Sequence, residues 1–387
     1  MIFILGLAGF ISAADNWIVS PVLPAIAATF GISIALTGVI LTAYLVPYGL
    51  MQPFYGFLSD NHGKKRVLQK ITLGLALGTG ACAVSNSLGM LFFWRAFTGF
   101  FAAGIIAVSL AWIGDNVPSG ERQRHVGKFM GIVFLGQGMS VGLGGTITNY
   151  LGWQVMFGIF AAVSLCTVFL LNKLPESEIS TNKQPFRFHD FFSEVKKVVS
   201  TPKGKIIFPM AFAAGFLLVG LYSYLGAFLH EFTGLNYLQI GLIIMFYGFA
   251  CLIAGSAVGR LEKLLEQKKI IIIGGFMALS SALILATLPF WQAVLAATIT
   301  LGFGYIFIQS PLATMAFDVT HEATGLPSAL IGLGLFGGGG IGTAVFGWIL
   351  NLRGYGVLWP VVALGIVIFI MAAVKIDFKW DDVSHTS

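Results

Sequence analysis

FMGIVFLGQGMSVGLGGTITNYLGWQVMFGIFAAVSLCTVFLLN, residues 129–172, holds no Asp, Glu, Lys or Arg. A helix rises about 1.5 Å per residue and a bilayer's hydrocarbon core is about 30 Å thick, so roughly 20 apolar residues make one crossing. This stretch is long enough for two. Charge is also absent from 16–59, 71–94, 96–114, 206–230, 232–259, 270–317, 323–352 and 354–374. Charged residues make up 10% of the chain and hydrophobic ones 57%, with a mean hydropathy of +0.89. Soluble domains carry about 25% charged residues, and a water-soluble fold of this composition would aggregate.

With no water to satisfy the backbone, only helices and closed barrels span a bilayer, and these long apolar runs lack the roughly ten-residue alternation of barrel strands. The expected architecture is all-α with twelve spans, near 2–26, 35–57, 67–87, 89–113, 129–148, 153–172, 206–229, 236–259, 270–288, 290–314, 325–350 and 355–375. The apolar start at Met1 has no basic stretch before it and no small-residue cleavage pattern, so it reads as the first membrane helix rather than a cleaved signal. Cys82, Cys166 and Cys251 lie inside apolar runs without CxxC or Cys/His spacing, which argues for packing roles and against a metal site or a disulfide framework.

Threading twelve spans puts 19 of the 22 Lys and Arg residues on one side and Arg353 alone on the other. The positive-inside rule then places both termini in the cytoplasm of a plasma-membrane protein. The net charge of +6 is thereby a topological signal and not a nucleic-acid footprint. The one long polar segment, 173–205, divides the chain into an N-terminal six-helix bundle (1–172) and a C-terminal one (206–375), followed by a tail (376–387); Pro175, Ser177, Ser180, Thr181 and Asn182 are expected to loosen its backbone. At an offset of 203 the halves align Gly31 with Gly234, Gly38 with Gly241, Tyr44 with Tyr247 and Gly56 with Gly259, the pattern of a parallel repeat flanking a midplane cavity.

After the second span the chain reads GFLSDNHGKKR, residues 56–66, which resembles the GxxxDxxGRRR signature of the major facilitator superfamily. Locally, Asp60 suits a helix N-terminus, Gly63 permits a left-handed turn, and Lys64, Lys65 and Arg66 hold the loop at the inner surface. The resemblance implies a conformational latch made by Gly56, Asp60, Gly63, Lys64, Lys65 and Arg66, with Asp115 and Arg122 of DNVPSGERQR, 115–124, as its partners. LFFWRAFTGFFAAGI, 91–105, is similar to the family's intramembrane Arg motif through Arg95, Gly99 and Gly104. GIVFLGQGMSVGLGGTI, 131–147, resembles the antiporter signature of the fifth span, except that Val141 stands where proline is usual, which leaves that helix without its expected kink. The whole is most similar to the twelve-span drug:proton antiporters.

Three charges fall within spans: Asp15, Lys70 and Arg95. Lys70 lies close enough to the inner surface to snorkel. A charge at a helix centre costs about 2.5–3.5 kcal/mol on insertion scales, so Asp15 and Arg95 each need a partner or water. Asp15 sits roughly 20 Å up span one and Arg95 roughly 10 Å below the outer end of span four, depths that coincide in a 30 Å core. They are expected to pair and to carry proton coupling; the alternative is a permanent ion pair that locks the two spans without titrating. The family fold implies a cavity lined by Asn16, Trp17, Tyr44, Gln137, Tyr224, Tyr247 and Gln309. Aromatic and amide groups of this kind suit a lipophilic or cationic ligand. GLGLFGGGGIG, 332–342, serves either bending or tight packing.

No GxxxxGK[ST] is present, so nothing cradles a nucleotide and an ion gradient is the expected energy source. No cofactor is expected, nor an enzymatic centre: the spans hold no His/Glu/Asp cluster, Ser-Lys dyad or metal spacing. The expected function is proton-coupled multidrug efflux by alternating access, with a small-molecule substrate, protons and the bilayer as partners and a monomeric chain. Uptake symport of a small metabolite is the nearest rival, and a non-transporting receptor a more distant one.

Overall fold

Glycines with positive φ mark the turns. Gly31 (φ 64°), Gly63 (85°), Gly152 (89°), Gly234 (64°) and Gly354 (69°) each stand at a helix boundary. A side chain in that region meets its own backbone, so only glycine turns there without strain. The computed structural model describes residues 1–175, 188–319 and 326–376.

The first half begins with α1 (Ile2–Trp17) and α2 (Val19–Phe30), one span bent by 48°. Pro21 causes the bend: its ring takes the space of the Trp17 carbonyl four residues back, and it has no N–H to offer that carbonyl. A single turn, α3 (Ile34–Thr37), leads into α4 (Val39–His62). Then follow α5 (Lys64–Ala83), α6 (Leu88–Ala102) with its continuation α7 (Ile105–Asn116), α8 (Ser119–Leu151) and α9 (Trp153–Leu171). α8 runs unbroken through Val141, consistent with the missing proline.

Within the expected loose linker lies a helix, α10 (Phe188–Val199). Phe191, Phe192, Val195, Val198 and Val199 fall on one face at helical spacing, a pattern outweighed on reading by the proline and serines before it. The second half comprises α11 (Gly204–Ala214), a π-turn at Gly215–Val219, α12 (Gly220–Ser223), α13 (Leu225–Thr233), α14 (Tyr237–Leu261), α15 (Gln267–Thr287) and α16 (Trp291–Phe317). It ends with α17 (Leu326–Gly332), a second π-turn at Leu333–Gly337, α18 (Gly338–Arg353) and α19 (Tyr355–Lys375).

Among the described residues ten helices are long and apolar enough to cross a bilayer, and the bent α1–α2 pair makes eleven. α5 takes the place of the remaining expected span but falls short of that measure, because its 20 residues open on Lys64, Lys65 and Arg66 with Lys70 one turn on. The 203-residue repeat also shows in backbone conformation. Gly31 and Gly234 are left-handed C-caps with the same φ of 64°. Ser33 and Asn236 are the N-caps that follow, accepting from the N–H of Leu36 and Gln239 respectively.

α1 packs on α8, α5 on α9 and α4 on α6 in the first half; α15 packs on α16 and α19, and α14 on α16, in the second. Between the halves the broadest contact is α8 against α14. There Gly138 meets Gly248 and Gly145 meets Gly241 and the Tyr237 carbonyl, backbone on backbone, with no room for a Cβ. On the other side α4 lies along α18 and the second π-turn, and α2 meets α13. At the end remote from the basic loops the Ser20 hydroxyl donates to the carbonyls of Tyr222 (2.9 Å) and Ser223 (3.2 Å). The Tyr224 ring there fills the space beside Gly38 and Gly347. α1 and α7, the basic-end parts of their spans, pack mainly within the first half.

Candidate functional site

The end of α1 carries Ala14-Asp15-Asn16-Trp17 up to the bend, which sets these side chains at mid-span, where the helix changes direction. Asp15 and Arg95 form an ion pair here, with the Asp15 side chain 1% exposed and Arg95 fully buried. Arg95 Nη1 donates to Asp15 Oδ2 at 2.7 Å and Nη2 to the Asp15 backbone carbonyl at 3.1 Å. Thr79, on α5, donates its hydroxyl to Asp15 Oδ1 at 2.8 Å. Both carboxylate oxygens are therefore occupied, as a buried charge requires.

The guanidinium carbon lies 4.2 Å from the centre of the Tyr44 ring and 5.7 Å from that of Phe157. Gly99, one turn beyond Arg95, brings this about by letting α6 rest on the Tyr44 carbonyl. The Tyr44 hydroxyl reaches the Ser12 carbonyl at 3.5 Å. Arg95 Nε has no partner. The pair thus belongs to the first half, held by α1, α4, α5 and α6, and Arg95 grips both the side chain and the backbone of the last turn before the bend.

Two residues beyond Asp15, Trp17 crosses to the second half. Its ring centre stands 4.6 Å from Tyr222, 5.2 Å from Tyr247 and 6.3 Å from Tyr305. Tyr222 and Tyr247 are 4.6 Å apart, and Tyr247 and Tyr305 6.2 Å. The four rings come from α1, α12, α14 and α16 and make an aromatic box between the halves. Beside it is a cavity of about 10 Å³ bordered by Asn16, Trp17, Ser20, Leu41, Leu45, Val219, Tyr222 and Ser223. That volume holds about one water, so the halves are closed upon one another here.

Of the residues expected to line a cavity, Asn16, Trp17 and Tyr247 lie at this junction. Gln137 is buried at the α8–α14 crossing, its backbone against Gly248 and its side-chain nitrogen unpartnered. Tyr44 sits under Arg95. Tyr224 gives its hydroxyl to the Thr343 carbonyl at 2.9 Å and braces spans seven and eleven away from the box. Gln309 is half-buried on α16, one turn past Tyr305. The basic-end motif joins Lys64 to Asp115 in a salt bridge, and Arg122 donates to the Gly114 carbonyl at 2.5 Å. The Asp60 side chain is outside the described residues; Gly56 lies in α4, Gly63 caps it, and Lys65 and Arg66 open α5.

Thr79, Tyr222 and Tyr305 are the site residues that sequence reasoning passed over. Tyr222 and Tyr224 stand two apart in LYSYLG, and a regular helix gives no reason to prefer either. The π-turn at Gly215–Val219 adds a residue to the helix before them and shifts the register so that Tyr222 faces the centre. Runs of glycine on spans seven and eleven were the available signal: Gly215 abuts the Leu335 backbone and Gly342 that of Phe216.

Two helical halves thus meet at an aromatic junction, with a buried ion pair enclosed by the first of them. The chain belongs to the major facilitator superfamily, whose model matches residues 5–343. Citrate exporter 1 of Aspergillus niger is 28% identical over 297 residues, 67% of this chain, and the match spans 56% of that relative's length. The uncharacterized MFS-type transporter YceJ of Bacillus subtilis is 26% identical over 351 residues, 88% of this chain and 86% of its own. Among solved structures the nucleoside transporter NupG (D323A mutant) superposes with a TM-score of 0.74 at 14% identity, over 96% of this chain and 98% of that one, which attests the fold.

Proposed function

We propose that the chain is a proton-coupled exporter of small lipophilic compounds, working by alternating access in the plasma membrane with both termini in the cytoplasm. The observation that carries this reading is the Asp15–Arg95 pair, one turn before a proline-made bend whose next residues border the junction of the halves. A proton taken up by Asp15 removes the charge that holds Arg95. The grip of Arg95 on the last turn of α1 then weakens, and Trp17 is released from the tyrosines opposite. Deprotonation restores the grip. The ion gradient thereby biases a bistable contact between halves, which is what coupling requires. The Lys64–Asp115 bridge serves as a latch at the basic end, and the 19 Lys and Arg residues that a twelve-span threading of the sequence assigns to that side support its cytoplasmic placement.

Uptake symport is the second reading, favoured by the unbroken course of α8 through Val141. Everted and right-side-out vesicles, each with the gradient set so that the protein's outer face is the acidic one, separate the two. Export predicts that a lipophilic dye accumulates in everted vesicles when their interior is acidified; accumulation only in right-side-out vesicles with an alkaline interior would mean symport.

A further inference from the structure

The aromatic box has features that bear on what it takes. Tyr222 and Tyr247 are 3% and 1% exposed; the Tyr222 hydroxyl has no hydrogen-bond partner, and the Tyr247 hydroxyl has none stronger than the weakly bonding Cys251 thiol. The Cys251 thiol lies beside Tyr247 but is directed to the Gly302 carbonyl at 3.6 Å. Leaving a buried hydroxyl unpaired is costly, and native proteins leave few. Two poorly satisfied hydroxyls in one ring cluster at the junction of the halves, with the unpartnered Gln137 nitrogen at the neighbouring crossing, are groups that a molecule seated between the halves would satisfy.

Charge narrows the class. Asp15 is the one acid among the described residues at this depth, and both of its oxygens are taken, by Arg95 and Thr79. A cation entering the box meets no free anion and has Arg95 behind Tyr44. A quaternary ammonium could use the ring faces, yet it would leave the tyrosine hydroxyls and the Gln137 amide unsatisfied. An anion meets no free cation but the Nε edge of Arg95, turned within the first half.

Resting on the transporter reading above, we infer that the substrate is an uncharged, planar aromatic compound with hydrogen-bonding groups on its edge, stacked between Trp17 and Tyr247 when the halves part, with its edge on the Tyr222 and Tyr247 hydroxyls. The ring cluster supplies stacking faces from both halves, so the ligand bridges them. Tyr222 and Tyr247 then determine specificity by the hydroxyl and not by the ring.

The test compares two flat fluorophores of similar ring size, neutral riboflavin and cationic ethidium, by equilibrium fluorescence titration of the purified full chain in nanodiscs with no gradient. Riboflavin is expected to bind tighter than ethidium. Tyr222→Phe and Tyr247→Phe, which keep the rings, are each expected to weaken riboflavin roughly 2- to 12-fold and to leave ethidium unchanged. Trp17→Ala is expected to weaken both by roughly 5- to 150-fold, with Trp17→Phe restoring part of the loss if the fold is intact. Tighter binding of ethidium, undiminished riboflavin affinity in both Phe variants, or no riboflavin binding at all would overturn the inference. Because no gradient is applied, failure of proton coupling would leave these results standing. Asp15-dependent proton exchange in a protein that ignores riboflavin would sink the substrate class alone.

Discussion

Replacing Gly145 by valine wedges the two halves apart at the end remote from the basic loops. A Cβ there would collide with the Tyr237 carbonyl and come within 2.9 Å of the Gly241 Cα, and neither is a side chain that could turn aside. Relief comes only if α8 and α14 separate. Inserting carbon into a close-packed contact costs about 1–3 kcal/mol, and at about 1.4 kcal/mol per tenfold that disfavours the closed far end by roughly 5- to 150-fold. Spin labels at Ala28 and Phe232, both exposed near the ends of α2 and α13, report the opening as an inter-label distance. Gly145→Val is expected to move most of the distribution to a longer separation. Gly158→Val, where a Cβ meets nothing within 4 Å, leaves it unchanged. A wild-type distribution in Gly145→Val would refute the reasoning that this backbone contact holds the far end shut.

Pro21→Ala returns an N–H to the Trp17 carbonyl and straightens span one, so the melting temperature is expected to rise while transport turnover falls; both are read on one preparation. Tyr44→Leu removes the ring beneath Arg95 and is expected to cost about 0.5–2 kcal/mol, seen as a lower unfolding midpoint. Arg95→Gln alone leaves a buried carboxylate without its counter-charge, at about 3–5 kcal/mol, whereas Arg95→Gln with Asp15→Asn is expected to recover most of the folded yield on size-exclusion chromatography. The Lys64–Asp115 bridge is partly exposed and contributes about 0–1 kcal/mol, so Asp115→Asn is expected to slow transport without shifting the melting temperature.

Much of the fold was legible because the bilayer imposes coarse rules. Charge-free runs gave the spans, and Gly56 to Arg66 gave the family. The 203-residue offset gave a repeat that the caps at Gly31 and Gly234, and at Ser33 and Asn236, bear out in conformation. The Asp15–Arg95 pairing followed from depth alone, since two charges at one level in hydrocarbon have few other partners. Its placement did not: the pair is enclosed by the first half, and Trp17 is what reaches the second. Thr79 carried no signal, because threonine is common in apolar helices and its role depends on the rotation of α5. Tyr222 was hidden by a π-turn that no 3.6-residue periodicity anticipates. The helix at 188–199 was masked by the polar residues before it.

Proton movement in everted vesicles, with and without Asp15, tests the central claim most directly. Substrate added under an imposed pH gradient is expected to release protons from wild-type vesicles, and Asp15→Asn, present at equal amount, is expected to abolish that release. Equal substrate-driven proton release by wild type and Asp15→Asn would contradict the account and leave the pair as a fixed tie between spans one and four.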